Sequence, residues 1–153
     1  MANYDNPNGF RPVSFPARTN VYEVTAATTV TKGDALAIAS GKVLPYEGGV
    51  THTTVIGVAA ESGSGGDEIQ VYDDFATEFE GQCSGTFAAT LIGTAVDLEG
   101  TTGVMEVDEN GATNDVAVIP GHYPLPGADE IGANSRVKVV FGGHVLPLSC
   151  HLP

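Results

Sequence analysis

An acidic segment, Asp108-Glu109-Asn110-Gly111, is one place in this 153-residue chain whose residue types suit a metal ion. Carboxylate and amide oxygens that alternate along a loop are ligands for a hard cation such as Ca²⁺. The calcium loop of an EF-hand ends in a bidentate Glu, and the residue at that position, counted from Asp108, is Ile119. We therefore expect no metal site in this segment.

Cys83 is the candidate nucleophile, within Gln82-Cys83-Ser84-Gly85. A catalytic Cys needs a His close enough to stabilise its thiolate, and no segment of the sequence supplies one. The four His residues are not spaced as zinc ligands; they are His52, His122, His144 and His151. We interpret Cys83 as a buried structural residue and predict no enzyme and no cofactor. A pair of carboxylates that are distant in the chain, as glycoside hydrolases use, stays open as an alternative.

The charge of the chain excludes several classes of partner. Nineteen acidic and six basic residues give a net charge of −13, which repels phosphate, so nucleic acid is not an expected ligand. No apolar run is long enough to span a membrane, and no signal region opens the chain. We therefore expect synthesis in a cytoplasm and no membrane partner.

Short apolar runs between turn-forming residues predict an all-β fold. Twenty Gly and nine Pro make the chain rich in turns, and polar residues alternate with apolar ones as in half-buried strands. Residues 30–74 predict a β meander. The predicted strands are 21–26, 35–38, 42–44, 53–60, 68–72, 76–83, 86–98 with a break at Gly93, and 136–141.

Asn110-Gly111 is the strongest hairpin signal in the chain, because this dipeptide favours a tight turn between strands. Apolar runs at 104–108 and 116–119 flank it, so we predict that these two strands pair with each other. Near 128–134 the sequence allows a helical turn or two, and the apolar end of the chain is expected to pack on protein. Residues 21–153 are predicted to form one β domain, either a small sandwich, a barrel or a tulip-like arrangement.

The first twenty residues predict an extended arm. Pro7, Pro12 and Pro16 favour extended conformations, and a preorganised segment loses less entropy when it binds. The arm carries a charge of +1, from Asp5, Arg11 and Arg18, and the rest of the chain therefore carries −14. Its aromatic and Arg residues are types that anchor interfaces. A disordered leader is the alternative.

The opening MANYDNPNGFRPV, with the later runs TVTKGDALAIASGKVLPYE and VIGVAAESGSGGDEIQVY, resembles the head decoration (capsid cement) proteins of tailed bacteriophages. The resemblance extends to Gly81 and rests on turn and strand motifs. It implies a small β protein, commonly a homotrimer, that binds the major capsid protein on the outer surface of the virion and stabilises the expanded shell.

We expect the arm to make the capsid contacts, and its removal to leave the β domain folded. The predicted capsid-binding residues are Tyr4, Asn6, Phe10, Arg11, Phe15 and Arg18. Attachment in many copies would compensate for weak single contacts. The alternative function is a carbohydrate-binding or adhesion module, although such modules usually present exposed Trp or Tyr, and this chain has no Trp and five Tyr.

Overall fold

The computed structural model describes residues 3–47, 54–111, 113–123 and 131–141. Within these ranges the chain forms short strands and one 3-10 helix, Ala89–Leu91, so the all-β prediction is confirmed. The strands are β1 Arg11–Pro12, β2 Asn20–Glu23, β3 Thr29–Val30, β4 Ala35–Ala39, β5 Lys42–Pro45, β6 Gly57–Ala59, β7 Gly63–Ser64, β8 Glu68–Tyr72, β9 Phe79–Gln82, β10 Ala95–Glu99, β11 Glu106–Asp108, β12 Ala117–His122 and β13 Arg136–Phe141. None of the described helical residues belongs to a helix long and apolar enough to cross a membrane.

Five strands form a first barrel. Their order is β2-β8-β6-β4-β5, and all neighbours in this order are antiparallel. The two ends of the sheet then meet, because Val24 forms a parallel bridge with Val43 and the Thr25 N–H donates to the Val43 carbonyl at 2.9 Å. Buried aliphatic side chains fill this barrel: Val24, Val30, Leu36, Val43, Ala59, Ile69 and Val71.

Five later strands form a second barrel in the order β9-β13-β12-β10-β11, again antiparallel. It closes in the same way, because Cys83 forms a parallel bridge with Val107 and the Ser84 N–H donates to the Val107 carbonyl at 2.9 Å. Strand β1 adds to β9 from outside, with Arg11 opposite Glu80.

The two barrels therefore repeat one topology. If the strands of each are numbered one to five along the chain, both have the order 1-5-4-2-3, with the third strand parallel to the first. Gly33 and Gly93 hold the same place before the second strand. Both have positive φ, and their N–H groups donate to Ala59 and to Ile119, the third residue of each fourth strand. No sequence motif described above predicts this repeat.

Strand β4 joins the barrels. Successive side chains of a strand point to opposite faces, so Leu36 lies inside the first barrel while Ala35 and its partner Val58 pack into the core of the second. Asp34 strengthens the junction. Its fully buried carboxylate accepts the N–H groups of Thr31 at 2.8 Å and of Gly103 at 2.7 Å.

Several predicted strands agree closely with the structure. Those at 68–72 and 136–141 match β8 and β13, and 35–38 and 42–44 differ from β4 and β5 by one residue at one end. Two pairing predictions are wrong. The meander fails because β6 pairs with β4 and not with β5, whose free edge instead meets β2. The Asn110-Gly111 hairpin fails because β10 lies between β11 and β12.

Other predictions fall partly outside the described residues. The predicted strand at 53–60 begins at a residue that the structure does not describe, and its described part forms the shorter strand β6. The predicted helical turns at 128–134 begin outside the described residues, and residues 131–134 are not helical. The apolar end, 142–153, also lies outside it.

Candidate binding surface

The arm packs against its own domain and does not project from it. Phe10 is only 3% exposed, and its ring packs edge to face on that of Phe141, with centroids 5.1 Å apart. Gly81 makes room for this ring, because a Cβ atom there would collide with it. The Phe10 N–H also donates to the Gly33 carbonyl of the first barrel at 2.8 Å, so this part of the arm bridges the two barrels.

Arg11 balances a buried charge. Its guanidinium lies 2.7 Å from Oε1 of Glu80, whose side chain is 7% exposed, and Arg136 lies 4.0 Å from the same oxygen. Removing one partner from a buried ion pair is costly, because the remaining charge stays desolvated. We therefore assign Arg11 mainly to the stability of this protein, although its side chain is largely exposed at the surface.

Gln82 holds the beginning of the arm. This buried amide accepts the Asn6 N–H at 2.9 Å and donates to Asp5 at 3.0 Å and to Glu106 at 2.8 Å. Burial raises the pKa of Glu106; the Gln82 hydrogen bond lowers it, and nearby carboxylates, Asp5 first, raise it further. The backbone of Asn6 is thus used within the chain, and its carbonyl accepts a hydrogen bond from Arg136 at 3.2 Å.

The second half of the arm is exposed. Phe15 is 79% exposed and lies between two shallow grooves, of about 430 Å³ and about 270 Å³, that both include it in their walls. Arg18 borders the smaller groove, and Arg11 and Lys32 border the larger one. We call Phe15, Arg18, Lys32 and these two grooves the Phe15 surface. Tyr4, 78% exposed, lies nearer the start of the arm and is not part of either groove wall.

The walls of the two grooves carry a small excess of positive charge on an acidic protein, because they include Arg11, Arg18 and Lys32 against two acidic residues, Glu80 and Asp74. Arg11, Arg18 and Lys32 are three of the six basic residues in the chain. Among the described residues, no ion pair involves Arg18 or Lys32, whereas Lys42 pairs with Glu23 at 2.6 Å. The surface therefore offers an exposed aromatic ring beside two cations without acidic partners in the described part of the chain.

The six predicted contact residues thus divide into two groups. Phe10 is a core residue, and Asn6 and Arg11 make contacts within the chain, so we do not carry these three into a binding role. Tyr4, Phe15 and Arg18 are exposed. Lys32 was missed, because a single Lys in the turn before β4 has no sequence neighbour that marks it as part of a surface.

The residues that suggested metal or thiol chemistry have structural contacts. Asp108 accepts the N–H groups of Asn110 and Gly111, and Glu109 accepts that of Gly85, so both acids hold turns. Cys83 is fully buried in the second barrel. The described ranges contain no group of three or more His, Cys, Asp or Glu side chains that could hold a metal.

His122 stacks on the ring of Phe87, at 5.7 Å between centroids. The other three His residues, His52, His144 and His151, lie outside the described residues. No family model and no curated protein matches this chain.

Proposed function

We propose that this protein is a structural component of a tailed-phage virion that decorates the outer surface of the mature capsid and stabilises it. In this proposal it attaches to the major capsid protein through the Phe15 surface, and Tyr4 adds a second contact. The family resemblance of the first eighty-one residues motivates the proposal. The observation that carries it is the exposure of Phe15 between two grooves, beside Arg18 and Lys32.

The chemistry of this surface suits attachment to protein. Burying an exposed Phe side chain contributes about 1.5–3 kcal/mol, and Arg is enriched among the residues that dominate interfaces. Carboxylates of a partner could form ion pairs with Arg18 and Lys32. No described residue of this chain forms an ion pair with either of them. The acidic remainder of the protein would not compete for the packaged genome.

Modest contacts are sufficient for this function. A shell presents many equivalent positions, and copies that are also linked to each other bind with an avidity above that of one contact. If the protein is a homotrimer, as the resemblance implies, three Phe15 surfaces would act together. Analytical ultracentrifugation of the purified protein tests the trimer.

The test of the function is binding to expanded phage heads that lack the protein, measured by cosedimentation. Phe15→Ala should weaken binding by about tenfold or more, because 1.4 kcal/mol corresponds to a factor of ten. Arg18→Ala combined with Lys32→Ala should weaken it and reduce its dependence on salt. Ile92→Ala, at an exposed apolar residue of the second half of the chain, is the control and should bind normally. Failure of the wild-type protein to bind heads would exclude the proposal.

A further inference from the structure

The repeated topology allows the two barrels to be compared edge by edge. In the second barrel, β11 meets the first strand, β9, only at Cys83, and the start of β9 is covered by β1. Glu80 lies three residues before Cys83. The Cys83 N–H donates to the Ser135 carbonyl, on the β13 side of β9. Backbone N–H and carbonyl groups of successive residues point to alternate sides of a strand. The backbone groups of Glu80 therefore point to the opposite side, towards Arg11 of β1.

Val21 is the equivalent residue of the first barrel, three residues before Val24. The Val24 N–H donates to Asp67 on the β8 side, so by the same alternation the N–H and carbonyl of Val21 point away from β8. Among the described residues, β2 pairs with β8 and meets β5 only at Val24. No described strand covers Val21, and its side chain is 60% exposed. Within the described ranges, the first barrel thus lacks a counterpart of the strand that β1 supplies to the second.

The other strands at the ends of the two sheets carry features that discourage further pairing. Proteins commonly protect edge strands with Pro and charged residues, since an open edge recruits other strands. These residues are Arg11 and Pro12 in β1, Lys42 and Pro45 in β5, and Glu106 and Asp108 in β11. In β2 the charged residue, Glu23, lies beside β5 and pairs with Lys42, and the position before it on the same edge is the β-branched, apolar Val21, which favours pairing.

We propose that the start of β2 binds an extended segment of the capsid protein, which adds to the first barrel as an antiparallel strand. This inference rests on the proposed function and gives its mode of binding. The segment would place an apolar side chain beside Val21 and a carboxylate within reach of Arg18, which is exposed three residues earlier and has no ion pair among the described residues. Backbone hydrogen bonds supply affinity in this mode of recognition, and the neighbouring side chains supply specificity.

The small size of the edge favours this occupant over a second copy of the chain. A stable interface between two globular proteins buries about 1,200–2,000 Å², which a few residues at one strand edge do not provide. An extended segment needs only that edge.

The experiment combines hydrogen exchange with substitutions at Val21, using the full-length protein and expanded heads that lack it. On binding, exchange in fragments that cover residues 19–23 should slow, because the Val21 N–H gains an acceptor. Val21→Pro removes this N–H without removing a bond to β8, and should weaken binding to heads about tenfold or more. Val21→Thr keeps the N–H and the β-branched shape, and should bind within about threefold of wild type.

The outcomes distinguish failure of strand addition at β2 from failure of the proposed function. If wild-type protein binds heads but exchange at residues 19–23 is unchanged, strand addition is excluded and the proposed function stands. The same conclusion follows if folded Val21→Pro binds like wild type. If Val21→Pro does not fold, Val21→Lys takes its place, because a charged residue on the edge opposes pairing while the N–H remains. If wild-type protein does not bind heads, the proposed function fails and this inference fails with it.

Discussion

The ring of Phe10, in the arm, packs edge to face on the ring of Phe141, at the end of β13, with 86° between the ring planes. Phe141 also contacts Phe79 in β9, at 5.5 Å between centroids. The beginning of the chain is therefore part of the core of the second barrel. Deleting the arm would remove core packing, so we no longer expect the β domain to fold without it. The predictions below change single residues instead.

Phe10→Ala should lower the free energy of unfolding by about 3–5 kcal/mol, because it removes a buried aromatic ring and leaves a cavity. Urea unfolding followed by circular dichroism gives the value. Tyr4→Ala is the matched control in the same arm. Its side chain is exposed, so its effect should stay within about 0.5 kcal/mol. Equal stabilities of the two variants would show that the arm is not packed as described.

Gly81→Ala should also displace Phe10, because the new methyl group would collide with the ring. Overpacking of this kind costs about 1–3 kcal/mol, and the loosened arm should be cleaved faster by proteases. Limited proteolysis with mass spectrometry locates the cleavage. Gly121→Ala is the control, since a Cβ atom there meets no neighbour within 4 Å. If both variants resist cleavage equally, Gly81 does not shape the Phe10 site.

Tyr46→Phe should leave stability unchanged or raise it by up to about 1–3 kcal/mol. The Tyr46 hydroxyl is buried and makes no hydrogen bond to the described residues, so its removal relieves a desolvation penalty. In contrast, Tyr22→Phe loses a 2.7 Å hydrogen bond to Asp73 and should cost about 1–2 kcal/mol. Thermal unfolding of both variants tests this opposition, and a large loss in Tyr46→Phe would contradict it.

Glu106→Gln should stabilise the protein near neutral pH and have a smaller effect in acid. The pKa of Glu106 is raised above 4.5 in the folded state, chiefly by burial, so folding opposes the charged form. The penalty is present above the folded pKa and disappears as the pH falls below the unfolded value. Urea unfolding at several pH values measures the difference, with Glu47→Gln, at an exposed residue, as the control. A stabilising effect that does not depend on pH would contradict the assignment.

The strands most accurately predicted were those whose own sequence determines them. Polar and apolar residues alternate in Glu68–Tyr72 and, as far as Val139, in Arg136–Phe141, and one face of each strand is buried as the alternation requires. Pairing was harder to predict, because it depends on residues distant in the chain. The Asn110-Gly111 signal favoured a hairpin, but Asp97 accepts N–H groups of Thr113, Asn114 and Asp115, which connects this loop to β10 instead.

The candidate surface was predicted only in part for a similar reason. Composition identified the arm residues that suit an interface, but it could not separate Phe15, which is exposed, from Phe10, whose site depends on Gly81 and Phe141. The repeat was missed because the shared signal is short. A Gly with positive φ precedes Ala35 and Ala95 by two residues, and few identical residues surround these positions.

The repeated barrel means that the chain resembles a dimer whose two subunits can no longer dissociate. Each half can therefore carry a substitution that the other half lacks, whereas in a symmetric dimer every substitution occurs in both subunits. Gly33 now supports the arm through its carbonyl, whereas a side chain at Gly93 would face open space. In the described part of the chain, one half therefore pairs with the arm while the corresponding edge of the other half is uncovered, and a single small polypeptide has two different faces built from one architecture.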